Sequence, residues 1–281
     1  MRVYISGDIE GCTGIVSWSQ CDGPDSDKAD WAFARRMYTH DINAAIRGAL
    51  SGGATEIVVK DSHGTCRNLL VDELEPGVEL ITGYGAAEHG MMEGIRAGFD
   101  ACFLVGYHSM GGTQGGIMEH ALAGGLHRFW INGIEGGEIL ASAALAGAYG
   151  CPLVLVTSDE DGCNEASALV AGVGITAVKL GIGRFMGKML HPSITGPLIS
   201  KAAEQAVMAA RSITPYVIVG PATFKVQFRD TAYADLPQHM KGVRRPDGYT
   251  LEWTCPSLLE AHSMMYQVFG VASTGQRGGA G

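Results

Sequence analysis

Short apolar segments alternate with segments of helical periodicity along the first two thirds of the chain. Strand-like runs occur at 2–8, 55–60, 78–82, 101–107, 152–157 and 175–180. Between the first two, residues 28–50 place apolar side chains three and four positions apart, which is typical of a helix. Strands separated by helices imply parallel pairing through helical crossovers, and runs rich in Val, Ile and Leu suit strands covered on both faces. We therefore expect an α/β fold, a three-layer α/β/α domain with a mostly parallel sheet.

The pattern changes towards the C-terminus. Residues 221–229 alternate apolar and polar side chains, a second strand is expected at 249–254, and a helix at 257–269. This arrangement predicts a smaller α+β unit with antiparallel strands. We expect residues 1–190 to form the α/β domain that carries the functional site and residues 191–281 to form the smaller domain.

A hairpin is expected inside the first domain. Residues 120–125 and 127–132 would be its strands, with Gly124-Gly125 as the turn. The segment 137–149 follows, and its many alanines and glycines predict a helix packed closely against another element.

Charge and composition exclude several classes of partner. The net charge is −9 and no basic stripe is visible, so nucleic acid is not an expected partner. No apolar run approaches the roughly 18 residues of a membrane span, and the apolar start is too short for a signal peptide. Seven cysteines occur without a C-x-x-C pair, which indicates reduced thiols, not a thiolate zinc site. We expect a cytoplasmic protein with no membrane association.

Acids and histidines follow three of the predicted strands. Asp8-Ile9-Glu10 follows the first strand, Asp61-Ser62-His63 the second, and His108 the strand at 101–107. Functional sites in open parallel sheets form at the carboxyl ends of the strands, so these side chains should meet at one edge. Asp8 and Glu10 are two residues apart, which puts both side chains on one face of extended backbone.

Taken singly, each of these residues has an ordinary structural explanation. Asp8 would cap a turn, Glu10 would be solvated, and each histidine would be satisfied inside the fold. Taken together they favour a metal site, because two carboxylates held close repel unless a cation or proton neutralises them. Mixed imidazole and carboxylate ligands suit Zn²⁺, and carboxylates can bridge two ions. Asp61 and Ser62 are expected to hold the His63 ring.

Other motifs indicate less. The acids at 159–161 are expected at a helix N-terminus, where carboxylates cap and complement the dipole. His120, at the start of the predicted hairpin, could reach the metal site. The remaining histidines are expected to be structural or on the surface. The chain has no G-x-G-x-x-G, Walker, G-x-S-x-G or H-E-x-x-H motif.

The motifs together resemble those of the DppA-type D-aminopeptidases, zinc peptidases with an S-x-D-x-E-G opening. The residues that carry the resemblance are Ser6-Gly7-Asp8-Ile9-Glu10-Gly11, Asp61-Ser62-His63, Gly106-Tyr107-His108, Met118-Glu119-His120, and Ile131-Asn132 followed by Gly137-Glu138. The chain departs from the family at Gly7, Lys60 and the glycine-rich loop 111–116, which we expect beside the pocket. These departures concern substrate preference and not metal binding.

The resemblance implies two zinc ions bridged by Asp8. Glu10 and His108 would complete one ion, and His63 and Glu138 the other. It also implies His120 as the catalytic group. Substrates would be short peptides with an N-terminal D-residue, such as D-Ala-D-Ala, and the chain would form a homo-oligomer of stacked rings, as stacked pentamers.

The expected reaction is hydrolysis of a peptide bond by a metal-activated water, with His120 transferring a proton or stabilising the tetrahedral oxyanion. Two other classes of protein would use similar ligands. One is another two-metal hydrolase, an amidase or a phosphoesterase. The other is a metal-binding protein without turnover, in which replacing His120 would change nothing measurable.

Overall fold

The computed structural model describes residues 1–21, 23, 27–85, 88–96 and 98–275. The strands are β1 (Arg2–Gly7), β2 (Glu56–Asp61), β3 (Glu79–Ile81), β4 (Ala101–Val105), β5 (Leu126–Ile131), β6 (Ile134–Gly136), β7 (Leu153–Asp159), β8 (Gly174–Gly183), β9 (Met186–Met189), β10 (Ala222–Phe228), β11 (Val243–Arg244) and β12 (Thr250–Cys255). The α-helices are α1 (Trp18–Cys21), α2 (Lys28–Ser51), α3 (Glu138–Ala148), α4 (Glu160–Leu169), α5 (Pro192–Ala209), α6 (Ala232–Asp235) and α7 (Leu258–Gly275).

The larger sheet has the order β3-β2-β1-β4-β7-β8-β9. Neighbouring strands are parallel except for β9, which is antiparallel to β8. The chain leaves β1 towards β2 on one side and later returns to β4 on the other. The strand order therefore reverses between β1 and β4, and a ligand crevice is expected at the carboxyl ends of these two strands.

Both faces of the larger sheet are covered, as the expected α/β fold requires. Val3 and Ile5 of β1 point into a core shared with α2 and α5. Tyr4, between them, points into a second core with Ile139 of α3 and Ala166 of α4. The prediction of a three-layer, mostly parallel α/β/α fold is confirmed.

The smaller sheet is antiparallel and has the order β11-β12-β10-β5-β6. Phe129, Phe224 and Trp253 pack in its core against α7. Helix α3 lies between the two sheets, because Ile139 belongs to the core of the larger sheet and Leu140 to that of the smaller. This position explains its small side chains: a Cβ at Gly147 would lie 1.9 Å from the backbone oxygen of Tyr216.

The expected hairpin exists but lies further along the chain. Its strands are β5 and β6, and its turn is Asn132-Gly133, with φ of 49° and 82°. Asn-Gly is the residue pair that a two-residue turn with positive φ prefers, so the signal was present in the sequence. Residues 120–125, expected as a strand, form none; the prediction of Gly124-Gly125 as the turn was wrong.

The expected domain boundary at residue 190 stays a prediction. The hairpin β5–β6 joins the C-terminal strands in the smaller sheet, whereas α5, which follows residue 190, packs on α2 beneath the larger sheet. Within the described ranges, no helix combines the length and apolar character that crossing a membrane would require.

Candidate metal centre

The loop after β1 carries Asp8 and Glu10 and is held tightly against the end of β4. The backbone N–H of Asp8 donates to the Val105 oxygen at 2.8 Å, and that of Gly11 to the Gly106 oxygen at 2.7 Å. The approach is so close that a Cβ at Gly11 would lie 1.8 Å from the backbone oxygen of Tyr107. Glycine is therefore needed at position 11. The contact places Asp8 and Glu10 next to His108.

His63 meets both acids from the neighbouring strand. The N–H of Ser62 donates to the Gly7 oxygen at 2.9 Å, which fixes the end of β2 beside the β1 loop. The Nδ1 atom of His63 then lies 2.9 Å from Glu10 Oε2 and 3.2 Å from Asp8 Oδ1.

His108 and Glu138 meet on the other side of Asp8. The Nε2 atom of His108 lies 3.2 Å from Glu138 Oε2 and 3.6 Å from Asp8 Oδ2. Glu138 is the first residue of α3, so the hairpin and the helix that follow it deliver this carboxylate to the sheet edge. The two oxygens of Asp8 thus face two different imidazoles, and Asp8 lies between the two halves of the cluster.

The histidine rings are oriented by backbone carbonyls. His63 Nε2 lies 2.7 Å from the Cys21 oxygen, and His108 Nδ1 lies 2.9 Å from the Ser109 oxygen. A carbonyl oxygen only accepts, so these ring nitrogens carry the hydrogen. The opposite nitrogen of each ring therefore faces the acids, and its lone pair can bind a cation when the ring is neutral, which is how metal-binding histidines are usually held.

Four buried polar atoms of this cluster have no hydrogen-bond partner among the described residues. They are Asp8 Oδ2, Glu10 Oε2, His108 Nε2 and Glu138 Oε2. Buried polar atoms are nearly always satisfied, and those that are not require an explanation such as an ion. Carboxylate oxygens and imidazole lone pairs facing one another fit divalent cations that take nitrogen and oxygen ligands.

The pKa values of the cluster show the same need for positive charge. Burial, and then the neighbouring Glu10, raise the pKa of Asp8 to about 8. Burial would also raise the pKa of Glu10, but the charge of His63 holds it well below its usual value. Burial would lower the pKa of His63, but Glu10 and Asp8 raise it well above its usual value. The buried carboxylates can therefore all be ionised only when positive charge lies among them, either on protonated histidines or on bound cations.

His120 lies against His108 on the cavity side. The two rings are stacked with centroids 3.9 Å apart, and His120 Nε2 lies 3.5 Å from Glu138 Oε1. Its Nδ1 lies 3.0 Å from the Met118 oxygen. Burial and the neighbouring His108 lower the pKa of His120. Met118 and Leu122 on either side have φ of 54° and 43°, an uncommon left-handed conformation that is often found at functional sites.

All six residues expected at the site are therefore brought together, and two groups of metal-binding atoms result. Glu10, Cys21 and His63 offer atoms within 4.8 Å of one another, and so do His108, His120 and Glu138. Cys21, the last residue of α1, was missed. No sequence motif marks this cysteine as a ligand. Its thiol comes close to Glu10 and His63 only through the fold of the segment after β1.

Some expected details are different. The side chains of Asp61 and Ser62 do not hold the His63 ring: Asp61 accepts from the backbone of Leu69, and Ser62 Oγ bonds to the Met91 oxygen. Asp159 caps α4 as expected, accepting from Gly162 N at 2.8 Å. The loop 111–116 contributes no residue to the lining of the cavity that opens from the cluster.

A cavity of about 1120 Å³ opens from the cluster. Asp8, Glu10, His63, His120 and Glu138 all line it. Its walls extend to the residues Trp18, Lys60, Cys66, Tyr84, Met91, Arg184, Arg229, Tyr266 and Phe269, among others. The volume exceeds what a single ion and its waters would fill, and it is typical of a cleft for an organic ligand.

Comparisons with known proteins agree with this geometry. A family model described as Peptidase_M55, D-aminopeptidase, matches residues 1–267. A D-aminopeptidase of Bacillus subtilis (strain 168) is 30% identical over 266 residues, covering 94% of this chain and 95% of the relative. A solved structure described as "Zn-dependent D-aminopeptidase DppA from Bacillus subtilis, a self-compartmentalizing protease" superposes with a TM-score of 0.92 at 28% identity, covering 97% of this chain and 98% of that one.

Proposed function

Since the chain belongs to the D-aminopeptidase family Peptidase_M55, we propose that it is a zinc-dependent hydrolase that releases N-terminal D-amino acids from short peptides. The observation that carries the proposal is the position of Asp8 between two groups of buried ligand atoms, at the end of a cavity large enough for a peptide. The similar solved structure is of a Zn-dependent enzyme, which supports the choice of metal.

We assign the ligands from the contacts in the cluster. Asp8 would bridge two zinc ions; Glu10 and His63 would complete one, and Glu138 and His108 the other. This pairing differs from the one that the family resemblance suggested, in which Glu10 and His108 share an ion. The contact of 2.9 Å between His63 and Glu10 and that of 3.2 Å between His108 and Glu138 support the new pairing.

Zinc in this position supplies Lewis acidity, which activates water as a nucleophile at neutral pH and polarises a peptide carbonyl. The protein's own groups orient the substrate and move the proton. Because His120 Nδ1 donates to the Met118 oxygen, Nε2 carries the lone pair and faces the cavity end. It would accept a proton as the nucleophile forms and return it to the leaving amine. The substrate's free N-terminal amine would be bound at the same centre.

We also propose that the chain works as a homo-oligomer, a ring built of stacked pentamers. The solved relative is described as self-compartmentalizing, which supports assembly into an enclosed particle. A cytoplasmic location is part of the same proposal, and it is supported by seven cysteines that are all free thiols.

The test is a substrate panel on the zinc-loaded protein. D-Ala-D-Ala, L-Ala-L-Ala and a phosphate monoester are compared for release of alanine or phosphate. The proposal predicts hydrolysis of D-Ala-D-Ala at a kcat/KM at least about tenfold above that of the L-dipeptide, and no phosphate release. Activity should disappear with a chelator and return with zinc. A phosphoesterase without peptidase activity, or a protein that binds zinc without turnover, would overturn it.

A further inference from the structure

Among the described residues, the buried cation in the cavity wall has no counter-ion. Lys60, Arg184 and Arg229 bring positive charge to the cavity. Arg184 is engaged by Glu119, whose carboxylate lies 3.4 Å from Nε and whose backbone oxygen accepts from the guanidinium. Arg229 is exposed to solvent and donates to the Leu126 oxygen. Lys60 is different, because it is only 2% exposed.

The contacts of Lys60 leave its charge unbalanced. Its Nζ donates to the backbone oxygen of Asp61. Across the described ranges, no carboxylate forms an ion pair with it. The Cys66 thiol lies beside it, but burial raises the pKa of that thiol, so it is neutral. An ammonium has three donors, and a buried one is costly unless an anion accompanies it. The lining of a cavity is where a ligand can supply that anion.

The ammonium also lies within reach of the metal centre. It donates to the backbone oxygen of Asp61, and only Ser62 separates Asp61 from His63, so the Cα atoms of Asp61 and His63 are at most about 7 Å apart. In a dipeptide the C-terminal carboxylate lies one residue beyond the scissile bond, about 3.5 Å of chain, and the contact distances of about 3 Å at either end add to this reach. A substrate with its scissile bond at the metal centre would therefore bring its C-terminal group to the region of Lys60.

We propose that Lys60 binds the free C-terminal carboxylate of a dipeptide whose N-terminal residue lies at the metal centre. The inference rests on the proposed function and specifies its substrate class. A dipeptide ends in a free carboxylate one residue beyond its scissile bond, and the cavity wall offers an uncompensated ammonium to bind it. In a longer peptide the carboxylate lies further from the scissile bond, and in a C-terminal amide the charge is missing. The enzyme should therefore prefer D,D-dipeptides with a free C-terminus.

The experiment compares D-Ala-D-Ala with its C-terminal amide in the wild type and in Lys60→Met. The wild type should prefer the free acid. In Lys60→Met, kcat/KM for the acid should fall by about tenfold to a hundredfold, the range for one charged hydrogen bond, while the amide changes by less than about twofold. The loss should lie mainly in KM, because the carboxylate is bound alike in the ground state and the transition state. Lys60→Arg, which keeps the charge, should retain much of the preference.

Two further variants and one measurement complete the design. Lys201→Met replaces an exposed lysine of α5 and should behave as the wild type. Arg229→Met should keep the preference for the acid, and zinc content should be unchanged in every variant. The inference is overturned if Lys60→Met keeps the preference, if it loses acid and amide activity equally with zinc intact, or if Arg229→Met alone abolishes the preference. A wild type that hydrolyses neither compound overturns the proposed function itself, whereas hydrolysis of both without a preference overturns only the role of Lys60.

Discussion

At the scale of single residues, His120 is the group on which the proposed catalysis depends and the proposed metal binding does not. Its ring stacks on His108 and directs Nε2 towards Glu138, yet the cluster of Asp8, Glu10 and His63 does not depend on it. His120→Ala should therefore retain its zinc and lose kcat by about a hundredfold to ten-thousandfold, the usual contribution of a positioned acid–base group. His127→Ala, on an exposed position of β5, is the matched control. Unchanged turnover in His120→Ala would refute its catalytic role.

His262 should make the stability of the fold depend on pH. Its side chain is buried in α7, and burial, followed by the neighbouring His89, lowers its pKa to about 3. In the unfolded chain the His262 side chain is protonated below about pH 6.5, whereas in the folded state it stays neutral down to about pH 3. Stability is therefore lost as the pH falls through this window, by about 2 kcal/mol between pH 7 and pH 5.

Chemical unfolding at several pH values measures this dependence. His262→Phe should lose about 2 kcal/mol less than the wild type between pH 7 and pH 5, and His239→Gln, an exposed control, should follow the wild type. Equal slopes for His262→Phe and the wild type would mean that His262 does not titrate in this way.

The sequence predicted the residues of the site better than their contacts. Asp8, Glu10, His63 and His108 follow from one physical rule, that the ends of parallel strands share an edge. Glu138 came from the family resemblance alone, because its position depends on a hairpin and a helix that join different sheets. Cys21 and the carbonyls that orient the rings could not be predicted, since they depend on loop conformations that no periodicity encodes.

At the scale of elements, Lys179 of β8 fixes the loop that carries the acids. Its buried ammonium donates to the backbone oxygens of Glu10, Cys12 and Ile15, at 3.0 Å for Cys12 and 2.7 Å for Ile15. Burial lowers its pKa to about 8. One side chain thus binds three backbone carbonyls of the loop that carries Glu10.

Lys179→Met should loosen this loop, because three buried carbonyls lose their donor. We expect a loss of about 2–4 kcal/mol in the free energy of unfolding and a zinc affinity at least about tenfold weaker. Denaturant unfolding and zinc titration measure the two effects, with Lys188→Met on exposed β9 as the control. Wild-type zinc affinity in Lys179→Met would show that the loop holds its shape without this contact.

The elements themselves were predicted where a local signal determines them. Helix α2 runs as its periodicity indicated, with the Asp27 side chain accepting from Ala29 N and Asp30 N at its start and Gly52 at its end. The hairpin was misplaced because two turn signals lie close together in the sequence, Gly124-Gly125 and Asn132-Gly133. Asn-Gly is the stronger of the two signals, and the pairing of β5 with β10, about a hundred residues away, agrees with it.

At the scale of the whole molecule, an apolar surface suggests where subunits meet. Leu180, Ile182, Phe185 and Met186 are exposed on the β8–β9 hairpin, at the edge of the larger sheet. An exposed apolar edge is unfavourable in an isolated subunit and is usually covered by a partner. We expect a second copy of the chain to cover it in the proposed homo-oligomer.

Ile182→Glu should therefore weaken assembly and shift the sedimentation profile towards smaller species. Val71→Glu is a matched control, since Val71 and Ile182 are both 65% exposed but Val71 lies in the segment that connects β2 with β3, the strand at the opposite edge of the sheet. Assembly that resists Ile182→Glu, or that responds equally to Val71→Glu, would place the subunit contact elsewhere.

The division of the chain between two sheets is the feature that sequence reasoning represents least well. The α/β class and the antiparallel character of the C-terminal strands both followed from periodicity. The addition of residues 126–136 to the C-terminal sheet did not, because long-range strand pairing leaves no local pattern. This interleaving matters for function, since it brings Glu138 to the edge of the larger sheet.

The number of zinc ions bound by the wild type and by Asp8→Ala tests the central claim most directly. Metal-free protein is titrated with zinc, and the bound metal per chain is measured, with exposed Asp72→Ala as the control. Because Asp8 is the residue shared by both halves of the cluster, we predict two ions in the wild type and in the control, and the loss of both in Asp8→Ala. Two ions retained by Asp8→Ala, or a single ion in the wild type, would contradict the bridged two-zinc centre.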